Sequence, residues 1–336
     1  MNHRLIAILT AATALLAAAP ASAENVQRTL CIYDPSGGNG DVFNMMKDYR
    51  TKALEWGVEF EMKPYTDEKT ASEDFKAGQC QAVLMTGTRV RAFQKFTGTL
   101  EAMGSLSSYD LLATIVKSIS SAKAAGLMKS GDYETAAVLP GGAVYLLVRD
   151  KDVDTVEELA GKKLATLDFD EAAKVMVKQV GASLVPADVS TFGGMFNNGS
   201  VDVAYAPATA YKALELYKGI GSAGGVIRYP LAQLTLQLLI RSADFPAAFP
   251  QASRDHAAKN FDRALKLVKA AEKDIPESAW HDISDADKAR YDEMFLDVRV
   301  RLRDQEKVYD KTALTLMRKV RCKKNAARAE CAMKRE

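Results

Sequence analysis

The chain has 336 residues, 48% hydrophobic and 26% charged, with a net charge of +2. That balance excludes a disordered chain, a collagen-like repeat and a polytopic membrane protein. It also lacks the strongly basic domain that nucleic acid requires, so no nucleic-acid partner is expected. The charge is unevenly placed, however: the stretch from Arg318 onward carries +6 and the rest of the chain beyond residue 23 carries −5. A weak contact with an anionic surface is therefore expected at the C-terminal tail, if anywhere.

Residues 1–23 have the parts of an export signal: His3 and Arg4, an apolar run from Leu5 to Ala19, then Pro20 and the small-residue site Ala21-Ser22-Ala23. Cleavage is expected before Glu24. The apolar run is shorter than the roughly 20 residues a membrane span needs. No cysteine follows it to take a lipid. The destination is then the periplasm, where disulfides persist. Four cysteines allow three pairings; Cys31 with Cys80 on neighbouring strands and Cys322 with Cys331 among helix formers are favoured. CxxC spacing is absent, which argues against a structural metal.

In chain order, an apolar strand from Thr29 to Tyr33 leads into a Gly-rich loop, Asp34 to Asp41. Val42, Met45, Met46, Tyr49, Ala53 and Leu54 then recur at helical period until Gly57. Val58, Phe60 and Met62 alternate with charged residues as a half-buried strand. Thr70-Ala71-Ser72-Glu73 has the form of a capping box opening a short helix. Cys80 to Thr86 is a third strand, followed by the segment Arg89 to Phe96.

The same grammar restarts near Asp150. A short helix around Thr155 to Lys163 precedes a strand from Leu164 to Leu167, a helix through Ala172, Met176 and Val180, and a strand near Ser183 to Val185. Phe192 to Gly199 has loop composition, Val201 to Tyr205 forms a strand, and Ala208 to Tyr217 a helix. Two apolar strands, Ala143 to Val148 and Leu234 to Ile240, run into charged segments and would cross between the two halves. Beyond Pro250 the chain is helical, with one long stretch from Asp285 past Leu314 to Leu316. The fold class expected is α/β, with two lobes joined by hinge strands and a long helical C-terminus. Lobe 1 would comprise 24–146 with 240–284, lobe 2 would comprise 147–239, and 285–336 would brace both.

Catalytic constellations are missing from the sequence. His256 and His281 sit in charged helical surroundings, and there is no HExxH or GxSxG. Neither an enzyme nor a cofactor is expected. The Gly-rich loop lacks the lysine of a phosphate loop and the third glycine of a dinucleotide fingerprint. Ligands of parallel α/β folds lie at the carboxyl ends of strands, which selects Asp34, Ser36 and Asn39, then Thr86, Thr88, Arg89 and Arg91. From the second half the same rule selects Thr166, Asp168, Phe169, Tyr205, Pro207 and Tyr211. Guanidinium groups suit an anion, and aromatic rings suit an apolar ligand body.

Leu159-Ala160-Gly161-Lys162-Lys163-Leu164, Val185-Pro186, Asn198-Gly199-Ser200-Val201-Asp202 and the helix near Pro207 resemble the DctP-type solute receptors of TRAP transporters. The order of elements matches along the whole chain beyond the leader, and the resemblance is nearest a divergent AdeT-type branch that carries an efflux-associated label. It implies a type II-like periplasmic binding fold that closes on a small-molecule solute and delivers it to membrane transporter subunits. An envelope interaction role and an enzyme on the same scaffold are the alternatives. The family's carboxylate-clamping arginine falls at Ala165 here, which puts an organic-acid ligand in question.

Overall fold

The computed structural model describes residues 24–336. The expected leader lies outside the described residues. Strands β1 (Val26–Tyr33), β2 (Val58–Tyr65) and β3 (Ala82–Thr86) form a parallel set with β1 at its centre. The short β4 (Lys129–Ser130) turns into β5 (Tyr133–Val148), the longest strand. In the second half come β6 (Lys163–Leu167), β7 (Ser183–Ala187) and β8 (Val203–Pro207). After them follow β9 (Gly225–Ile227), β10 (Ala232–Arg241) and β11 (Trp280–His281). The main sheet runs β2-β1-β3-β10-β5-β8-β6-β7.

That order explains how the halves are joined. β10 pairs with β3 through Leu236–Ile240 and with β5 along its length, whereas β5 uses Val144–Val148 to pair with β8. Both expected crossover strands therefore pass between the halves, and β5 begins ten residues earlier than its apolar run. The sequence offered no assignment between Phe96 and Ala143; the helix Tyr109–Ile119 and the first part of β5 occupy that stretch.

Several local expectations are corrected. The first-half helix spans Glu68–Lys76 and is capped by Asp67, whose carboxylate accepts from the Lys69 and Thr70 amides, so Thr70 lies inside it. Residues 192–199 are mostly helix rather than loop: Val189–Asn197 is opened by a reciprocal cap between Asp188 and Thr191. Tertiary packing of Phe192 and Phe196 overrides the low helix propensity of Gly193 and Gly194 there. The expected helix over 208–217 breaks into Ala210–Ala213 and Tyr217–Ile220, and the one near Thr155 shrinks to a single turn, Glu157–Leu159. The long C-terminal stretch is two helices, Asp285–Asp304 and Lys311–Lys324, because Asp310 caps the second through the Ala313 amide.

These two helices contribute Phe295, Leu302, Leu314 and Met317 to one core that also holds Leu112 and Ile115 of the first half and Leu164 and Met176 of the second. They touch both halves. Both favoured cysteine pairs are formed, with Cα separations of 5.9 Å for Cys31–Cys80 and 5.6 Å for Cys322–Cys331. The basic tail folds back onto the core: Arg299 and Arg321 are fully buried and bond to Glu330 and Glu336, and they also donate to the Met103 and Ser105 carbonyls.

A cavity between the two halves of the sheet

At the carboxyl ends of β1 and β3 the chain builds a polar wall. Asp34 ends β1 and is buried, its carboxylate accepting from the Ser36 and Phe43 amides at 2.9 and 3.0 Å. It thereby caps the helix Asp41–Ala53, whose own cap position is Gly40. A Cβ on Gly40 would sit about 2.0 Å from that carboxylate, so only glycine allows the approach. At the end of β3, Thr86 donates its amide to Glu68 at 2.6 Å. Glu101 accepts from the Gly87 amide, the Thr88 hydroxyl, and the Thr235 amide and hydroxyl, all within 2.6–2.8 Å. Gly87 is required here too, because a Cβ would meet Glu101 at 2.6 Å.

Burial pushes the carboxyl groups of Glu68 and Glu101 above the usual range, while their hydrogen bonds from Thr86 and from Thr88 and Thr235, with the nearby guanidinium groups, pull the other way. From the second half, Asp170 caps the helix Glu171–Gln179 through the Ala173 amide and comes within 3.9 Å of Arg91. Arg91 also donates to the Gly98 carbonyl and lies 5.2 Å from the Tyr309 ring centroid. The Arg89 guanidinium is 3.4 Å from the centroid of Phe169 and 3.7 Å from Glu68. Two arginines of the first half thus reach across to the second.

Between these walls lies a cavity of about 360 Å³. Of the sequence-selected residues, it gathers Asp34, Ser36, Thr86, Thr88, Arg91, Phe169, Tyr205 and Pro207 into its lining. Asn39, Arg89, Thr166, Asp168 and Tyr211 stand outside it. Strand alternation separates Thr166 from its lining neighbour Leu167, and its hydroxyl turns to the Leu164 carbonyl. Asn39 and Asp168 face solvent, and Tyr211 packs in the core of the second half. Ala165 is fully buried in β6 and contributes nothing to the lining.

The sequence did not point to Glu68, Glu101, Asp170 or Tyr309, all of which line the cavity. Asp170 could have been noticed as a cap; the others carry no local signal. Tyr309 is buried, and its hydroxyl lies near the Met103 backbone without a hydrogen bond of normal geometry. Burial, with Arg91 acting against it, lifts that phenol to about 12. Most of the remaining lining is apolar, including Val144, Leu234 and the inner face of the helix Phe261–Glu272. His256 and His281 are elsewhere: the first packs on Tyr49 and Trp56, and the second pairs with Asp154 at 2.7 Å. Among the described residues no cluster of His, Cys, Asp and Glu is arranged to hold a metal ion.

Residues 50–336 match the model of the solute-binding protein AdeT 1/2 family. This chain belongs to that family. A probable solute-binding protein AdeT1 of Acinetobacter baumannii is 38% identical over 305 residues, covering 91% of this chain and all of that one. Among solved structures, a TRAP periplasmic solute-binding protein from Ralstonia eutropha H16 with bound (S)-2-acetolactate superposes with a TM-score of 0.71. It is 11% identical, and the match covers 88% of this chain and 99% of that one. Another, from Rhodoferax ferrireducens with bound malonate, gives 0.70 at 13% identity, covering 89% and 100%. The two-lobed binding-protein fold expected from the resemblance is therefore the fold of this chain.

Proposed function

We propose that the chain is a periplasmic receptor that takes up a small solute in the cavity between its halves and delivers it, unaltered, to a membrane transporter. The single observation that carries this is the 360 Å³ cavity, about the lower end of the range for small-molecule sites, at the strand ends of both halves. β5 and β10 are the hinge, with lobe 1 as 24–146 and 240–284, lobe 2 as 147–239, and 285–336 lying across both. Asp34, Ser36, Thr86, Thr88, Arg91, Phe169, Tyr205 and Pro207 are the contact residues, and Arg89 holds Phe169 in place.

Contacts such as Arg91 to Asp170 and Arg89 to Phe169 join residues of opposite halves. They are available only when the halves are together, so a solute that fills the cavity shifts the population toward the closed form. The transporter would read that form. Native mass spectrometry of protein purified without refolding tests the capture step. A solute mass is expected on the wild-type chain and lost in Ala210→Trp, which fills the cavity from a half-exposed position. A bare wild-type mass, together with no binding across a solute panel, would overturn the reading.

A further inference from the structure

We propose that the solute is an organic cation with an apolar body, an inference that rests on the capture reading above. Five carboxylates line the cavity, those of Asp34, Asp41, Glu68, Glu101 and Asp170, against the one guanidinium of Arg91. Arg89 stands just outside the lining, packed on Phe169. Asp41 stands at an exposed position, so the buried set is Asp34, Glu68, Glu101 and Asp170 against Arg91 and, behind Phe169, Arg89. An anion entering this site meets a like-charged wall, in surroundings where burial weakens solvent screening.

Of the two arginines, the one in the lining is also committed elsewhere, while Arg89 stacks on Phe169 with its Nε unbonded. Arg91 donates to the Gly98 carbonyl and faces Asp170, so an anion would have to draw it from both. Two groups remain open to a donor. The Asp41 carboxylate begins its helix at an exposed position and accepts no hydrogen bond from any of the described residues. Tyr309 is 3% exposed and lines the cavity, and its hydroxyl, near the Met103 backbone, has no hydrogen bond of normal geometry, so it can accept an N–H of the solute through a lone pair or donate its own O–H. A buried acceptor left empty costs free energy that an ammonium head would recover. The apolar lining of Val144, Leu234, Val268 and Phe192 receives the body. An amphipathic cation fits that division.

The test uses three probes on one skeleton: 1-naphthylmethylammonium, 1-naphthylmethanol and 1-naphthoate, titrated by calorimetry into the full exported chain after dialysis. The ammonium is expected to bind at least tenfold tighter than the carboxylate. In Asp170→Asn, which keeps a good helix cap, the preference for ammonium over alcohol is expected to fall at least threefold. Naphthoate binding as tightly as the ammonium, an unchanged preference in Asp170→Asn, or no binding of any probe would each overturn the assignment of a cation. A solute mass that co-purifies with the wild type and disappears in Ala210→Trp keeps the capture reading standing in any of those cases, and an anionic mass there would itself refute the cation.

Discussion

Beneath the Cys322–Cys331 bridge, Arg299 and Arg321 meet Glu330 and Glu336 with their guanidinium groups hydrogen-bonded directly to carboxylate oxygens. In the cavity wall, Glu68 and Glu101 instead take hydrogen bonds from backbone amides and threonine hydroxyls. Arg89 and Arg91 stand 3.7 and 3.9 Å from the nearest acids. In the first cluster Arg299, Arg321 and Arg328 bond directly to the two glutamates, and in the second the acids are in excess. Matched, directly bonded charge belongs to the fold and ties the tail to the Met103–Ser105 segment. Unmatched charge held by neutral donors keeps its field available at the cavity.

The largest expected effect is in the matched cluster. Arg321→Met leaves Glu330 and Glu336 buried without their partner and should cost about 3–5 kcal/mol, the usual penalty for breaking a buried pair. Arg91→Met should cost less than about 2 kcal/mol, since Asp170 retains the Ala173 amide. Urea denaturation measures both, and equal losses would erase the distinction between the clusters.

The disulfides extend the comparison. Cys31–Cys80 closes a separation of 49 residues beside the cavity strands, and Cys322–Cys331 closes 9 in the tail. On chain-entropy grounds, replacing the first pair by Ser should lose about 4 kcal/mol and the second about 2.5 kcal/mol. A reversed order would mean that the ion cluster depends on its bridge far more than loop length implies.

Acid should act on the two clusters with opposite sign. Burial alone would raise Glu330, but hydrogen bonds and charge from Arg321, with Arg299 and Arg328, bring it to about 2. Its contribution is therefore complete above the ordinary value near 4.5 and is lost as pH falls from there toward 2. Glu68 and Glu101 are raised, so folding favours their protonated form, and their penalty is relieved as pH falls through their elevated values toward 4.5. Urea midpoints across pH 7 to 3 should show Glu101→Gln losing the gain on mild acidification and Glu330→Gln losing the fall below pH 4.5. If both variants keep the wild-type profile, the two glutamates are not the titrating groups.

Much of the fold was legible in the chain. Val58, Phe60 and Met62 alternate as a strand must, and the apolar runs of β5 and β10 announced the crossovers, because burial on both faces leaves little room for polar residues. Interruptions were harder. The break before Lys311 and the helix over Phe192 to Asn197 depend on a cap and on packing against distant segments, which a local period does not contain. Eight of the thirteen selected ligand residues line the cavity, since strand-end position follows from topology. Those that do not were lost to side-chain direction, as at Thr166, or to exposure, as at Asp168.

The amino-acid order by itself determined the alternation of strands and helices and the ends of strands around which a cavity could form, because each depends on short-range period or on strands that must be neighbours, and it favoured one of three cysteine pairings. Which charges meet was decided only in three dimensions. Arg321 and Glu330 read as parts of a solvated basic tail until the chain returns them to the core, and Glu68 and Glu101 carry no signal in the sequence until Thr86 and Thr235 close over them. A charge's role depends on the partners and the dielectric around it, and both are set by segments far away along the chain.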